Sequence, residues 1–159
     1  MLQEEVVKVQ NILLYPQHIE TVAGWIYQEF GKDEPDRTLD YVINRLENRN
    51  LNKLPISLIA LINNECVGVV SIFDNDLKTM PELTPWLAGL YVKTNYRCKG
   101  IADKLISGVV KTCKNLDYNN VFLRTEHTSE YYKKHGWTFV EYTIDENGQE
   151  TSVFMKKSI

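Results

Sequence analysis

Hydrophobic residues follow two different periodicities along the chain. Short apolar runs of the kind typical of strands cover residues 5–12, 55–62, 66–73, 86–92, 120–125, 137–144 and 151–155. Apolar residues at helical spacing predict helices over residues 16–30, 38–50, 101–116 and 129–136. The predicted elements therefore follow one another in the order β-α-α-β-β-β-α-β-α-β-β.

Two turn signals join neighbouring strands. Asn63 and Asn64 separate the second and third apolar runs, and Asn147 and Gly148 precede the last one. Residues that tolerate a positive φ at such positions predict β-hairpins. Because the chain has no internal repeat and no linker composition, we predict a single domain over residues 1–159 of the α/β (α+β) class, with a mixed sheet flanked by helices.

The composition of the chain argues against several classes of partner. Its 159 residues are 43% hydrophobic and carry a formal net charge of -3 at pH 7. Nucleic-acid binders normally present a strongly basic surface, so we expect no nucleic-acid partner. The chain has no run of about 20 apolar residues, and its first residues lack the basic-then-apolar order of a secretory signal. We therefore expect a cytoplasmic protein without a membrane partner.

Cysteine and histidine residues are few and scattered. They are Cys66, Cys98, Cys113, His18, His127 and His135. An odd number of cysteines without Cys-x-x-Cys spacing argues against a disulfide framework or a cysteine zinc site. We therefore expect no metal.

The stretch YVKTNYRCKGIADKL, residues 91–105, is predicted to run from a strand through a basic loop into a helix. Arg97 and Lys99 supply positive charge and Gly100 lets a backbone approach a ligand closely, so the loop suits a phosphate. A nucleoside triphosphate loop would need Lys and then Ser or Thr after the glycine, where Ile101 and Ala102 stand. The glycine spacing of a dinucleotide site is absent too. One alternative stays open, in which Gly100 only lets the helix pack closely on the sheet.

Two motifs, taken together, resemble those of one enzyme family. RCKGIA (Arg97 to Ala102) lies between a strand and a helix, and YKKHGW (Tyr132 to Trp137) follows further along the chain. In order, spacing and setting, these motifs resemble the Gcn5-related N-acetyltransferase (GNAT) family. The resemblance implies a mixed, mostly antiparallel sheet with acyl-CoA bound at the splay between strands 4 and 5, and acetyl-CoA as the acyl donor.

The resemblance also implies which residues hold acetyl-CoA. The pyrophosphate would be bound mainly by backbone N–H groups at the start of the helix, and the pantetheine arm would pair with the preceding strand. The implied residues are Leu90, Tyr91, Val92, Arg97, Cys98, Lys99, Gly100, Ile101, Ala102 and Asp103. Cys98 departs from the family, which often has glycine there, so we expect a non-glycine backbone conformation at that point.

The family reaction is direct attack of an amine on the thioester, and the resemblance implies Tyr132 as the general acid. A phenol with a pKa of about 10 is protonated at neutral pH and can donate to the departing thiolate. The alternative is that Tyr132 only packs in the core. For the general base, Asp76 is our first choice among loop carboxylates that also include Asp74, Glu82 and Glu126.

Acceptor pockets in this family usually form from the first two helices and the loops beside the cofactor strand. Here these regions are acidic and carry aromatic residues, namely Glu29, Asp33, Glu34, Asp36, Asp40, Asp74, Asp76, Glu82, Trp25, Tyr27, Phe30 and Trp86. We therefore expect a primary amine acceptor on a small molecule or peptide, and the acidity favours a cationic one. An alternative of equal weight is that these acids only keep the loops soluble.

A rival function from a different class is a non-catalytic acyl-CoA-binding regulatory module. Such a module would need the RCKGIA loop but no proton donor, so the presence of Tyr132 favours the enzyme. Dimers are common in this fold, and the sequence leaves both a monomer and a homodimer open.

Overall fold

The structure is a computed structural model that describes residues 6–32 and 34–158. Its strands are β1 (Val7–Asn11), β2 (Ile56–Ile62), β3 (Glu65–Phe73), β4 (Trp86–Val92), β5 (Asn120–Thr125), β6 (Thr138–Ile144) and β7 (Glu150–Lys157). Its α-helices are α1 (Ile19–Ile26), α2 (Leu39–Glu47), α3 (Ile101–Asn115) and α4 (Ser129–Lys134). The predicted element order is confirmed. The first predicted strand begins at residue 5, which lies outside the described residues.

The strands form one seven-stranded sheet in the order β1-β2-β3-β4-β5-β7-β6. The β1–β2, β5–β7 and β6–β7 pairs are antiparallel, whereas β4 and β5 are parallel. The register pair of β4 and β5 is Trp86 opposite Phe122, near the start of both strands. The predicted mixed, mostly antiparallel sheet flanked by helices is therefore confirmed.

The predicted first helix is not one regular α-helix. It begins with a 3₁₀ turn at Pro16–His18, continues as α1, and ends in a π-helical turn at Tyr27–Gly31. Periodicity alone does not reveal these helix types, because the 3₁₀ turn has three residues and the π-helical turn has five, too few to establish a period. Helix α2 has a well-defined start, where the Thr38 hydroxyl accepts a hydrogen bond from the Tyr41 N–H at 3.1 Å.

Both predicted hairpin turns are present. Asn63 and Asn64 have φ values of 51° and 68°, as a two-residue turn between antiparallel strands requires. Gly148 has a φ of 81° and lies between β6 and β7. The chain tolerates these left-handed conformations because asparagine and glycine adopt them at low cost.

The first of two compact units combines the described part of residues 1–71 with residues 89–109. Its core joins α1 and α2 to the buried residues of β2 and β3. Helix α3 packs very closely at Gly108, where an added Cβ would lie 2.9 Å from Val9 Cγ1 and 3.3 Å from Leu58 Cδ1. Glycine at this position therefore sets how near the helix can lie to β1 and β2.

The second unit comprises residues 72–88 and the described part of residues 110–159. A cluster of Leu77, Met80, Trp86, Phe122 and Val153 forms its core. The indole N–H of Trp86 donates to the Leu83 carbonyl at 2.6 Å, so this fully buried side chain has its polar atom satisfied.

The single domain over residues 1–159 stays a prediction.

None of the helices within residues 6–32 and 34–158 combines the length and the apolarity needed to cross a bilayer.

Candidate active site

The loop between β4 and α3 has a left-handed backbone at two positions. Cys98 has a φ of 63° and Gly100 a φ of 81°. Residues 97–100 are exposed. The expectation that Cys98 adopts a non-glycine backbone conformation is therefore wrong, because this residue keeps the left-handed conformation and accepts its steric cost.

Gly100 is not a packing glycine. A Cβ added there would meet no described atom within 4 Å, in contrast to the close approach at Gly108. The alternative in which Gly100 only lets the helix pack on the sheet therefore fails. What the glycine provides is a left-handed φ and an open surface above the backbone, the two properties that a backbone phosphate site needs.

The start of α3 presents backbone N–H groups beside this open surface. The first hydrogen bond of the helical type runs from the Lys104 N–H to the Gly100 carbonyl at 3.2 Å. The N–H groups of Ile101 and Ala102 precede it, so the helix itself provides them with no acceptor. Together with the positive end of the helix dipole, these N–H groups can bind an anion at the N-terminus of α3.

The two basic side chains of the loop differ in what they contact. Arg97 Nε donates to the Val92 carbonyl at 2.8 Å, and the Arg97 guanidinium lies 5.3 Å from the centre of the Tyr91 ring. Lys99 Nζ lies 5.5 Å from the centre of the Tyr96 ring. Arg97 thus connects the loop to the end of β4 besides supplying charge, a role that nothing in the sequence indicates.

Strand β4 contains an irregular position just before the residues predicted to face the pantetheine arm. Gly89 has a φ of 63° inside the strand, and an added Cβ there would meet no described atom within 4 Å. A left-handed residue interrupts regular strand pairing and re-aims the neighbouring backbone groups. After it, Leu90 and Tyr91 are half-buried and Val92 is buried. An isolated glycine in a strand pattern was the signal that could have identified this feature.

Tyr132 lies on α4 in an aromatic environment. Its ring is 5.9 Å from that of Trp137 and 6.3 Å from that of Phe154, and only 8% of its surface is exposed. Burial raises the pKa of the Tyr132 phenol above its ordinary value. Its hydroxyl has no hydrogen-bond partner among the described residues. The ring is therefore held by packing while its hydroxyl keeps its donor capacity.

The neighbouring residue Tyr131 has different contacts. Its ring stacks on that of His135 with centroids 4.1 Å apart, and the Tyr131 carbonyl lies 2.7 Å from His135 Nδ1. Tyr131 is half-buried. These contacts indicate a packing role for Tyr131.

Asp76, the first choice for a base, belongs to a group of carboxylates around Arg124. Arg124 Nη2 donates to Asp145 Oδ2 at 2.6 Å, its Nε lies 3.7 Å from Glu126 Oε2, and its Nη1 donates to the Asp76 carbonyl at 3.4 Å. Burial lowers the pKa of Arg124, but the hydrogen bond to Asp145 and the charges of Glu126 and Asp76 raise it above its ordinary value. The charge of Asp76 is thus partly balanced inside the protein.

The remaining candidates for a base differ in their exposure and in their contacts. Asp74 and Glu82 are exposed loop residues. Glu126 Oε2 accepts a hydrogen bond from the Thr151 hydroxyl at 2.7 Å in addition to its contact with Arg124. A cavity of about 260 Å³ near the end of β5 is lined by Thr125, Glu126, His127, Tyr142, Gln149, Glu150, Thr151 and Ser152.

The residues expected to attract the acceptor lie mostly at the surface. The acids around α1 and α2 are exposed at positions Glu29, Glu34, Asp36 and Asp40, and Asp33 lies outside the described residues. Glu34 forms an ion pair with Arg37 at 3.0 Å. Trp86 is fully buried, which removes it from the aromatic residues that could contact an acceptor.

Comparison with known proteins places this fold among acetyltransferases. The structure of an aminoglycoside 6'-N-acetyltransferase complexed with coenzyme A superposes with a TM-score of 0.74 at 16% identity, covering 97% of each chain. The structure of the aminoglycoside 6'-N-acetyltransferase from Enterococcus faecium superposes with a TM-score of 0.71 at 15% identity, again over 97% of each chain. A GNAT acetyltransferase from Streptococcus pneumoniae gives 0.70 at 14% identity, covering 96% of this chain and 99% of the other. No curated protein sequence matches the chain.

A match to a protein-family model identifies the class of protein to which this chain belongs. The model of the Acetyltransferase (GNAT) family matches residues 19–137, which include β4, the loop at Gly100, α3 and Tyr132. An N-acetyltransferase is thus the class that the fold and the matched segment define. This chain belongs to the GNAT acetyltransferase family.

Proposed function

We propose that this protein transfers the acetyl group of acetyl-CoA to a primary amine of a small molecule by direct attack. The observation that carries the proposal is the loop before α3, where Gly100 combines a φ of 81° with open space above its Cα. Among the described residues, no packing contact requires a glycine there. A ligand that binds to backbone N–H groups and approaches the backbone closely would require one.

Acetyl-CoA would bind at two neighbouring segments of the first unit. The N–H groups at residues 98–103 would donate to the pyrophosphate, with Lys99 adding positive charge from the side. The backbone of Leu90, Tyr91 and Val92 would pair with the pantetheine arm as an additional strand would. The irregular backbone at Gly89 supports this arrangement, because it directs backbone groups away from regular pairing.

Tyr132 would act as the general acid in thiol release. The amine nitrogen attacks the thioester carbonyl carbon, the C–S bond breaks, and the phenolic proton passes to the departing thiolate sulfur. Two features of the structure support this role, namely the absence of a hydrogen-bond partner for its hydroxyl among the described residues and a pKa raised by burial. The hydroxyl is therefore protonated and its donor is uncommitted at neutral pH.

Asp76 is the proposed general base, which would take a proton from the acceptor ammonium directly or through water. Because its charge acts on Arg124 together with those of Glu126 and Asp145, replacing it also changes a structural cluster. Its role therefore has to be read from the pH profile of the reaction rather than from loss of activity alone.

A cationic amine is the proposed acceptor class. Two structures of similar fold are named as aminoglycoside 6'-N-acetyltransferases, and aminoglycosides are small polyamines. The exposed carboxylates around α1 and α2 would attract such a cation. A basic peptide end fits the same electrostatics and is the second candidate.

Titration calorimetry with acetyl-CoA, coenzyme A and ATP tests the cofactor first. Binding of both coenzymes without binding of ATP is the expected result, and failure to bind coenzyme A would overturn the proposal.

Release of free thiol with a panel of amines then separates the enzyme from the non-catalytic acyl-CoA-binding module. We expect turnover with cationic small amines. Tight coenzyme binding without turnover on any small amine or basic peptide would favour the module, and a preference for neutral or acidic acceptors would contradict the acceptor class.

A further inference from the structure

Helix α1 contacts strand β4 through a pair of aromatic rings. The rings of Trp25, on α1, and Tyr91, on β4, have centroids 5.4 Å apart and an interplanar angle of 36°. Both side chains are half-buried and pack against the core of the first unit. Aromatic rings at this separation attract each other beyond what the burial of their surface provides. Trp25 therefore supports the ring of Tyr91 from the helix.

The same tyrosine ring also contacts Arg97. The Arg97 guanidinium carbon lies over the Tyr91 ring, 5.3 Å from its centre, which is within the range of a cation–π interaction. Arg97 Nε donates to the Val92 carbonyl at 2.8 Å. An exposed arginine without such contacts has much rotamer freedom, and here one nitrogen and one face of the guanidinium are held.

Trp25, Tyr91 and Arg97 thus form one continuous stack within the first unit. The stack runs from α1 across β4 to the first residue of the RCKGIA motif. The two terminal nitrogens of Arg97 have no hydrogen-bond partner among the described residues. Because a guanidinium presents its donors in a rigid fork that suits phosphate, the stack leaves these donors available to an anion.

The backbone next to Arg97 needs support from its surroundings. Cys98 follows directly with a φ of 63°, a conformation that is costly for a residue with a side chain. Such conformations persist only where the surrounding structure holds them. Lys99 contacts the ring of Tyr96, five positions after Tyr91 in the same segment. Among the described side chains of residues 97–100, Arg97 is therefore the one that the stack connects to a helix distant in the chain.

We propose that Trp25 and Tyr91 are positioning residues for coenzyme binding, because they hold Arg97, and through it the loop before α3, in the conformation that receives the pyrophosphate. Both rings act through Arg97 rather than by contact with the coenzyme. A loop that is already ordered binds more tightly, since the free protein has lost the freedom that binding would remove. This inference rests on the proposed function, because it requires that the loop bind coenzyme A.

Titration calorimetry of the full chain with coenzyme A tests the stack. For Trp25→Leu we expect the Kd to rise about fivefold, the size that loss of one aromatic pair and a weakened cation–π contact corresponds to. Trp25→Phe keeps an aromatic ring and should recover most of the affinity. Tyr41→Leu is the matched control, because it removes a tyrosine ring that lies 5.8 Å from the Arg45 guanidinium on α2, and coenzyme affinity should not change.

The outcomes separate this inference from the proposed function. If the wild type binds coenzyme A and Trp25→Leu binds it equally well, the stack does not position the loop. An equal loss of affinity in Tyr41→Leu would also overturn the inference, because the effect would then not be specific to the stack. A wild-type protein that does not bind coenzyme A would overturn the proposed function itself.

A double-mutant cycle with Arg97→Gln distinguishes positioning from a general loss of structure. If Trp25 acts through Arg97, Trp25→Leu should raise the Kd about fivefold when Arg97 is present and leave it unchanged in the Arg97→Gln background. Thermal unfolding without ligand should show a similar loss of stability in both backgrounds. An equal rise in Kd in both would show that Trp25 affects binding only through the overall fold, and would overturn the inference.

The same cycle with Tyr91→Leu decides the question if Trp25→Leu impairs folding. Tyr91 contacts the guanidinium directly, so its ring should have at least as large an effect on coenzyme affinity as that of Trp25. We expect this effect to disappear in the Arg97→Gln background. Independent, additive effects of the two substitutions would contradict the proposed stack.

Discussion

The loop before α3 and the helix α4 carry the two motifs on which the resemblance to the family rests, yet they are built in opposite ways. The loop is exposed, and what it offers is backbone, with left-handed residues at Cys98 and Gly100. On α4, the side chain of Tyr132 is held inside a cluster of aromatic rings. A backbone site depends on φ values and open space, whereas a side-chain donor depends on the packing that positions it.

This contrast predicts separable effects of substitution. Changes in the loop should alter coenzyme affinity, because the N–H groups are the binding elements. Changes at Tyr132 should alter the chemical step, because its hydroxyl contributes nothing to the described hydrogen bonding of the folded chain. The comparison fails if either segment affects both quantities equally.

The largest effect is expected for Tyr132→Phe. Loss of a general acid lowers kcat by roughly 100-fold, within the usual range for such a group, and coenzyme affinity should stay within about twofold of wild type. Steady-state kinetics and calorimetry on the same preparation measure the two quantities. Tyr131→Phe is the matched control and should retain near-normal kcat. A melting temperature that falls sharply in Tyr132→Phe would instead favour the packing role.

Gly100→Val should weaken coenzyme A binding by at least about tenfold, because a branched side chain would occupy the space above the backbone and resist a φ of 81°. Calorimetry with coenzyme A gives the affinity, and thermal unfolding without ligand gives the stability cost of the strain. Unchanged affinity would contradict the loop as the pyrophosphate site.

Gly108→Val, in the same unit, should lower the stability of the protein and leave its coenzyme affinity unchanged. Its Cβ would lie 2.9 Å from Val9 Cγ1, so overpacking should lower the free energy of unfolding by about 1–3 kcal/mol. Coenzyme affinity of the folded fraction should be unchanged. Denaturant unfolding compared with calorimetry would show whether the two glycines have the separate roles that their surroundings indicate.

The raised pKa of Tyr132 predicts a specific dependence on pH. A folded-state pKa above the unfolded value of about 10 means that the folded chain resists ionisation of this phenol, so its contribution to stability is complete below pH 10 and is lost as the pH rises through the folded pKa. Between neutral pH and pH values above 10, the unfolding midpoint should therefore fall more steeply for wild type than for Tyr132→Phe. Equal slopes would show that burial does not affect this group.

The smallest effect is expected for Cys98→Gly. Relief of the left-handed strain favours the variant, while the greater freedom of glycine in the unfolded chain opposes it, leaving a gain of about 0.5 kcal/mol. Thermal unfolding measures this gain, and coenzyme affinity should be equal or slightly higher. A loss of affinity would mean that the Cys98 side chain itself contacts the ligand.

Much of the fold could be predicted because its signals are local. The bounds of β4 and β5 agree with the apolar runs, and the turn at Asn63 and Asn64 follows from residues that accept a left-handed backbone. The mixed helical segment that includes α1 was only partly predictable, because its 3₁₀ and π-helical turns are too short to show a periodicity of their own.

The candidate site was predictable in its motifs and not in its contacts. The sequence identified the loop at Gly100 and the tyrosine at position 132. It did not show that Asp76 lies beside Arg124, since 48 positions separate these residues in the chain. Nor did it show that β6 would be the exposed end of the sheet, because strand order depends on pairings between distant segments.

The sequence by itself determined the order of elements, the turns and the two motifs that define the family, because each of these depends on residues close together in the chain. The tertiary structure decided the roles of Gly100 and Gly108, since one glycine faces open space and the other is tightly packed. It also decided the environment of Tyr132, whose pKa depends on burial against Phe154 from a strand formed later in the chain. Space, burial and charge around a residue arise from segments that only folding brings together.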